Sequence, residues 1–87
     1  MQSVKVNPET KFREENEVGI IYFRNKIFRI NNVGLFIWKF LIQHGEFYER
    51  GLENVVSLKY DVLVDTIRGD VRKFIADMKA KELLREV

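Results

Sequence analysis

Few residues in this chain are equipped for chemistry. Glu14, Glu15 and Glu17 stand close together, a spacing that suggests paired carboxylates for acid–base work. Such pairs need a cleft that perturbs their pKa values, and the charged stretch Lys11–Glu17 reads instead as a solvated turn. The single histidine, His44, precedes Gly45 and reads as a helix-end residue, where a protonated imidazole favours the negative end of the dipole. One histidine cannot build a multi-histidine metal site. The absence of cysteine excludes thiolate zinc, an iron–sulfur site, a cysteine nucleophile and a disulfide framework. With no phosphate loop, metal-ligand spacing or catalytic triad, neither catalysis nor a cofactor is expected. What remains is a row of cations, Arg68, Arg72 and Lys79, beside apolar Val71 and Ile75. That row is either an ordinary solvated helix face or a surface for carboxylates on an amphipathic partner.

Composition agrees with a binding role. The 87 residues are 46% hydrophobic and 32% charged, enough for one small core. A chain of this size buries roughly 60–65% of its unfolded surface and has little left to wall off a deep active site. Lys and Arg number 15 and Asp and Glu 13, a net charge of +2. The excess is local: Met1–Phe47 holds seven basic and five acidic residues, and Tyr48–Val87 holds eight of each. No run reaches the roughly 18 apolar residues of a membrane span, and the first residues lack a secretory apolar core. A cytoplasmic protein with no membrane partner is expected.

The elements that must position these residues follow from periodicity. Residues 1–10, with a Val4–Val6 alternation before Pro8, form an arm that is either flexible or strand-forming. A short strand is expected around Lys11–Glu14. Val18–Arg24 and Ile27–Ile30 are rich in β-branched and aromatic residues, and Asn25-Lys26 between them signals a hairpin. Asn31-Asn32 offers a side-chain N-cap to a helix over Val33–Gln43. That helix is apolar nearly all round, with Trp38 central, so it must be covered on several sides. Gly45 ends it. A second helix is expected over Leu52–Tyr60. A third starts between Asp65 and Gly69 and runs to about Lys81, with Val64, Ile67, Val71, Phe74, Ile75 and Met78 as its stripe. Gly69 marks the start of this helix or a close packing neighbour. Leu83-Leu84 closes the core. The expected fold class is α+β: a small three-stranded antiparallel sheet followed by three helices.

The stretch VGIIYFRNKIFRINNVGLFIWKFL, followed by a short second helix and then GDVRKFIADMKAKELL, resembles the PqqD-like proteins. These are also called RiPP recognition elements. The likeness runs from about Lys11 to Leu84 and rests on the hairpin, Ile30-Asn31, Asp70-Val71 with Phe74 and Met78, and Leu83-Leu84. Glu82 departs from it, since many members carry Gly before the final apolar pair. The resemblance implies a winged-helix-like fold and a single peptide-binding domain over residues 1–87. It implies a non-catalytic adaptor that binds the leader segment of a ribosomally made precursor peptide. The adaptor would present that leader to a modifying enzyme, a radical SAM maturase or a lasso-peptide leader peptidase. The leader would lie as an added strand along Ile27–Ile30, packed against the third helix.

Strand addition gives affinity through main-chain groups, and specificity through pockets for alternate side chains. Ile27, Phe28, Arg29 and Ile30 supply the edge. On the helix, Arg68, Val71, Arg72, Ile75 and Lys79 are favoured over the Lys73/Asp77 side, so a mildly acidic leader with large apolar anchors is expected. Two other readings compete. A DNA-binding winged helix is disfavoured by the neutral second half, by Asp70 and Asp77, and by a hairpin that precedes the helices; no nucleic-acid partner is expected. A subunit-interface domain would use the same open edge to pair with itself.

Overall fold

The computed structural model describes residues 2–87; Met1, the first residue of the expected arm, lies outside them. Six strands and three helices follow in the order β1 (Ser3–Val6), β2 (Lys11–Glu15), β3 (Val18–Phe23), β4 (Lys26–Asn31), α1 (Asn32–His44), β5 (Glu46–Tyr48), α2 (Glu49–Tyr60), α3 (Val64–Ala80) and β6 (Leu84–Glu86). The class is α+β, with one correction to the expected architecture. The expected sheet, β2-β3-β4, is joined by a second antiparallel sheet of order β5-β1-β6. The arm supplies the middle strand of that second sheet.

Two turns fix the first sheet. Asn16-Glu17 and Arg24-Asn25 take positive φ in succession, 50° and 65°, then 48° and 64°, the geometry of two-residue hairpin turns. The second turn sits one residue earlier than expected, so Phe23 rather than Arg24 faces the start of the returning strand. Arg24 holds its left-handed backbone while its guanidinium lies 4.6 Å from the Phe23 ring centroid and 3.2 Å from the Glu82 carboxylate. Each turn sends the chain back with Ile21 opposite both Phe12 and Phe28. That face is covered by α1.

α1 is the central helix: Leu35, Ile37, Trp38 and Leu41 are buried, and Val33, Phe36 and Phe40 pack around them. Its start departs from expectation. Asn31 is the N-cap residue but makes no side-chain cap bond. Gly34 lets α3 approach, since a Cβ there would lie 2.7 Å from the Phe74 ring. α2 starts three residues earlier than expected and ends at a left-handed Asp61. α3 starts at Val64, so Gly69 is interior, and a Cβ at Gly69 would touch nothing within 4 Å. Neither reason offered for that glycine applies.

The C-terminal turn stitches the two ends together. Glu82 N–H donates to the Lys79 carbonyl and Leu83 N–H to that of Met78, at 3.0 and 2.9 Å, with Glu82 left-handed at φ 63°. This is a Schellman closure. Asn7 is buried against it: its Nδ2 donates to the Glu82 carbonyl at 2.8 Å, and its backbone N–H to the Leu83 carbonyl at 3.0 Å.

Candidate functional site

The β4 strand has one paired side and one open side. A two-residue turn is closed by a hydrogen-bonded pair, here Phe23–Lys26, and antiparallel pairs then alternate. Ile21–Phe28 and Gly19–Ile30 therefore exchange main-chain bonds, while Ile27 and Arg29 turn their N–H and C=O groups outward. The other edge of the sheet, β2, reads Lys-Phe-Arg-Glu-Glu, the charged composition that protects an edge from pairing. β4 is the edge better suited to accept a strand.

Side chains of β4 divide between the faces. Ile30 is buried and Phe28 half-buried toward the helices, whereas Ile27, 64% exposed, and Arg29 point to solvent. Beside the inner face stands one flank of α3. Its half-buried Phe74 meets Gly34, just beyond the end of β4, and the Lys81 ammonium lies 5.8 Å from the Phe28 ring centroid. Asp77 holds Lys81 at 3.8 Å. Lys81, at the C-cap of α3, thus reaches β4, and Phe74 and Asp77 lie on the same flank of the helix.

The expected basic row lies on the other flank of α3, across the buried stripe. Arg68 Nε and Arg72 Nε each donate to Glu53 at 3.1 Å, one to each carboxylate oxygen, and Arg68 also reaches Asp65 at 2.8 Å. Glu53, on α2, is 5% exposed. Two guanidinium groups neutralise this buried carboxylate and clamp α2 to α3. The hydrogen bond to Glu53 raises the Arg68 pKa, against the opposing effect of desolvation. Lys79 donates to Glu86 at 2.8 Å and to Glu49 at 3.1 Å; the Glu86 bond, then the Glu49 bond, raise its pKa while desolvation opposes them. Val71 and Ile75 are buried core. Arg72 and Ile75 do border a depression of about 650 Å³, with Gln2, Glu49, Arg50 and Glu53, but it lies between α2 and α3 rather than along β4.

The structure therefore separates the nine expected site residues. Ile27, Phe28, Arg29 and Ile30 form the open edge; Arg68, Arg72 and Lys79 face α2 and β6. Lys81 was missed as a neighbour of that edge. A signal for the flank existed in Glu53, a carboxylate between buried Leu52 and Val56 on α2. It needs cations from a neighbouring helix, and Arg68 and Arg72, one turn apart, supply them.

The acidic cluster does not converge on a cleft. Glu14 pairs with Lys39 at 2.7 Å, Glu15 with Arg13 at 3.3 Å, and all three carboxylates are exposed. No helix among the described residues is long and apolar enough to cross a membrane.

Comparisons with known proteins bear on the fold and the family. No curated protein sequence matches the chain. A solved structure described as TbiB1 in complex with the TbiA(beta) leader peptide superposes with a TM-score of 0.80, at 20% identity, over 93% of this chain and 94% of that one. The fold is shared with that protein. The sequence model of the family described as coenzyme PQQ synthesis protein D (PqqD) matches residues 2–84, nearly the whole length, and the chain belongs to that family.

Proposed function

We propose that this chain is a cytoplasmic, non-catalytic adaptor that binds the leader of a ribosomally made precursor peptide and presents it to a separate modifying enzyme. The enzyme is of the radical SAM maturase or leader peptidase class. The observation that carries the reading is the open β4 edge, with the outward N–H and C=O groups of Ile27 and Arg29, and with Lys81 at the C-cap of α3 over Phe28. An extended peptide laid there satisfies its own main-chain groups and those of β4 together. Its inward side chains meet Phe28 and Phe74, and Lys81 offers a cation to an acidic residue. Membership of the PqqD family and the likeness to a leader-bound protein support the same reading. On the helix, the proposed contacts are Phe74 and Lys81. Arg68, Arg72 and Lys79 hold α2, α3 and β6 together, and Val71 and Ile75 fill the core beneath.

The test removes one edge donor. Arg29→Pro deletes an outward N–H while leaving the β3–β4 bonds intact, and proline is tolerated on that side of an edge strand. A candidate leader, the N-terminal segment of a short reading frame neighbouring this gene, followed by fluorescence polarisation, should bind this variant about fivefold more weakly, since one main-chain bond contributes about 1 kcal/mol. Arg72→Ala should bind it with wild-type affinity. Unchanged affinity in a folded Arg29→Pro protein would sink strand addition at β4, and a loss in Arg72→Ala would return the site to the other flank of α3.

A further inference from the structure

The register of β2, β3 and β4 places three rows on the side of the sheet away from α1: Lys11–Tyr22–Ile27, Arg13–Ile20–Arg29 and Glu15–Val18–Asn31. An antiparallel sheet with one wet face normally alternates apolar inward and polar outward. β3 does not. Its sequence VGIIYF is apolar on both faces, so Val18, Ile20 and Tyr22 run down the middle of the outer face, extended by exposed Ile27. α1 covers the opposite face, where Gly19 makes room for Phe12, Ile30 and Leu35. No helix of the described residues lies over the outer one. An apolar stripe with a polar rim marks an interaction surface.

The rim is positive. Lys11 and Arg29 take part in no ion pair among the described residues, while Arg13 pairs with Glu15 and lies 5.9 Å from the Tyr22 ring centroid. On the helical half, Arg68, Arg72, Lys79, Lys81 and Arg85 are paired with carboxylates, and Arg50, Lys59 and Lys73, unpaired among the described residues, border no comparable apolar sheet face. Lys11 and Arg29 thus leave free positive charge beside one apolar sheet face.

We propose that this outer face of β2-β3-β4 docks the modifying enzyme, through an apolar patch on that enzyme rimmed by Asp and Glu. The inference rests on the leader-binding reading and deepens it. A strand added at β4 would carry every second side chain onto this same face, next to Ile27 and Arg29. The enzyme would then touch adaptor and leader together, which couples capture of the peptide to its delivery. Nucleic acid is a poorer occupant, because β-branched Val18 and Ile20 occupy the centre of the face and Tyr22 alone offers a ring to stack.

The test separates the two binding events using residues away from β4. Lys11→Glu/Arg13→Glu reverses the rim on the far strand, and Ile20→Thr/Tyr22→Thr removes the apolar centre with residues that suit a strand. The probes are the leader peptide and the purified modifying enzyme encoded beside this chain, with far-UV circular dichroism to verify folding. Both variants should keep leader affinity within twofold and bind the enzyme at least tenfold more weakly, and added salt should weaken the wild-type enzyme complex more than the Lys11→Glu/Arg13→Glu one. Wild-type enzyme affinity in folded Lys11→Glu/Arg13→Glu overturns the docking face, even where the other variant fails to fold. Loss of binding to a 20-nucleotide single-stranded RNA, with enzyme affinity kept, overturns it in favour of nucleic acid. Wild-type protein that binds no leader, yet loses the enzyme in these variants, overturns the leader reading and supports the docking face.

Discussion

Glu82 shows how one residue can carry a structural requirement that its type opposes. It occupies the left-handed position after α3, where glycine is the usual choice, at φ 63°. An L-residue in this conformation is disfavoured by about 1 kcal/mol. The position is nonetheless over-determined. The Glu82 carbonyl accepts from buried Asn7, its N–H donates to Lys79, and its side chain pairs with Arg24. Only the last of these depends on the side chain, and that pair is exposed. Glu82→Gly should therefore raise stability by about 0.5–1 kcal/mol, read as a thermal midpoint a few degrees higher. A lower midpoint would mean that the Arg24 pair, through the hairpin turn it steadies, outweighs the backbone strain. The departure of Glu82 from the family pattern was visible in the sequence. That the turn keeps its glycine-like geometry was not, because the partner that holds it, Asn7, is 75 residues away.

At the scale of elements, legibility followed periodicity. The hairpin and three helices were readable because their apolar residues recur at strand and helix spacing over many residues. The hairpin register was not. Turns at Asn25-Lys26 and at Arg24-Asn25 differ by two residues in pairing, which keeps Ile21, Phe23, Phe28 and Ile30 on one face in both cases. The hydrophobic pattern is blind to that choice. The flank of α3 proposed to meet the leader was equally hidden: Arg68, Arg72 and Lys79 border the buried stripe on one side, and Asp77 and Lys81 on the other. The buried Glu53 on α2 occupies Arg68 and Arg72, and nothing in the α3 sequence alone announces it. Gly69 gives a test of α3 itself. It is exposed, it is interior to the helix, and added carbon meets nothing. Gly69→Ala should stabilise the protein by about 0.5–1 kcal/mol in urea unfolding and leave leader affinity unchanged. A destabilised variant would show that α3 is broken at this point in solution.

The whole molecule is held by a second sheet that sequence patterning could not reveal. β5 and β6 span three residues each, too short for alternation to register, and their partner β1 stands far from both in the chain. Lys79 joins this sheet to the helices, since its ammonium bonds Glu49 at the start of α2 and Glu86 on β6. Both bonds favour the protonated amine, and the Lys79 pKa is raised above its free value. A group whose pKa is higher in the folded state adds stability that is complete below its unfolded value, about 10.4 for lysine. That stability is lost as pH rises through the higher folded value. The loss should set in at about pH 10 and grow above it, with no effect in acid until the two carboxylates protonate. Other lysines and the tyrosines titrate over the same range, so the comparison is with Lys79→Met, which keeps the stem packed and removes the charge. Between pH 8 and pH 11, urea unfolding should show wild type losing on the order of 1 kcal/mol more than Lys79→Met. Equal losses in the two proteins would mean that the ammonium at this junction is solvated in solution. β6 would then be held by its backbone pairing with β1, by buried Leu84 and by the exposed Arg85–Glu9 pair.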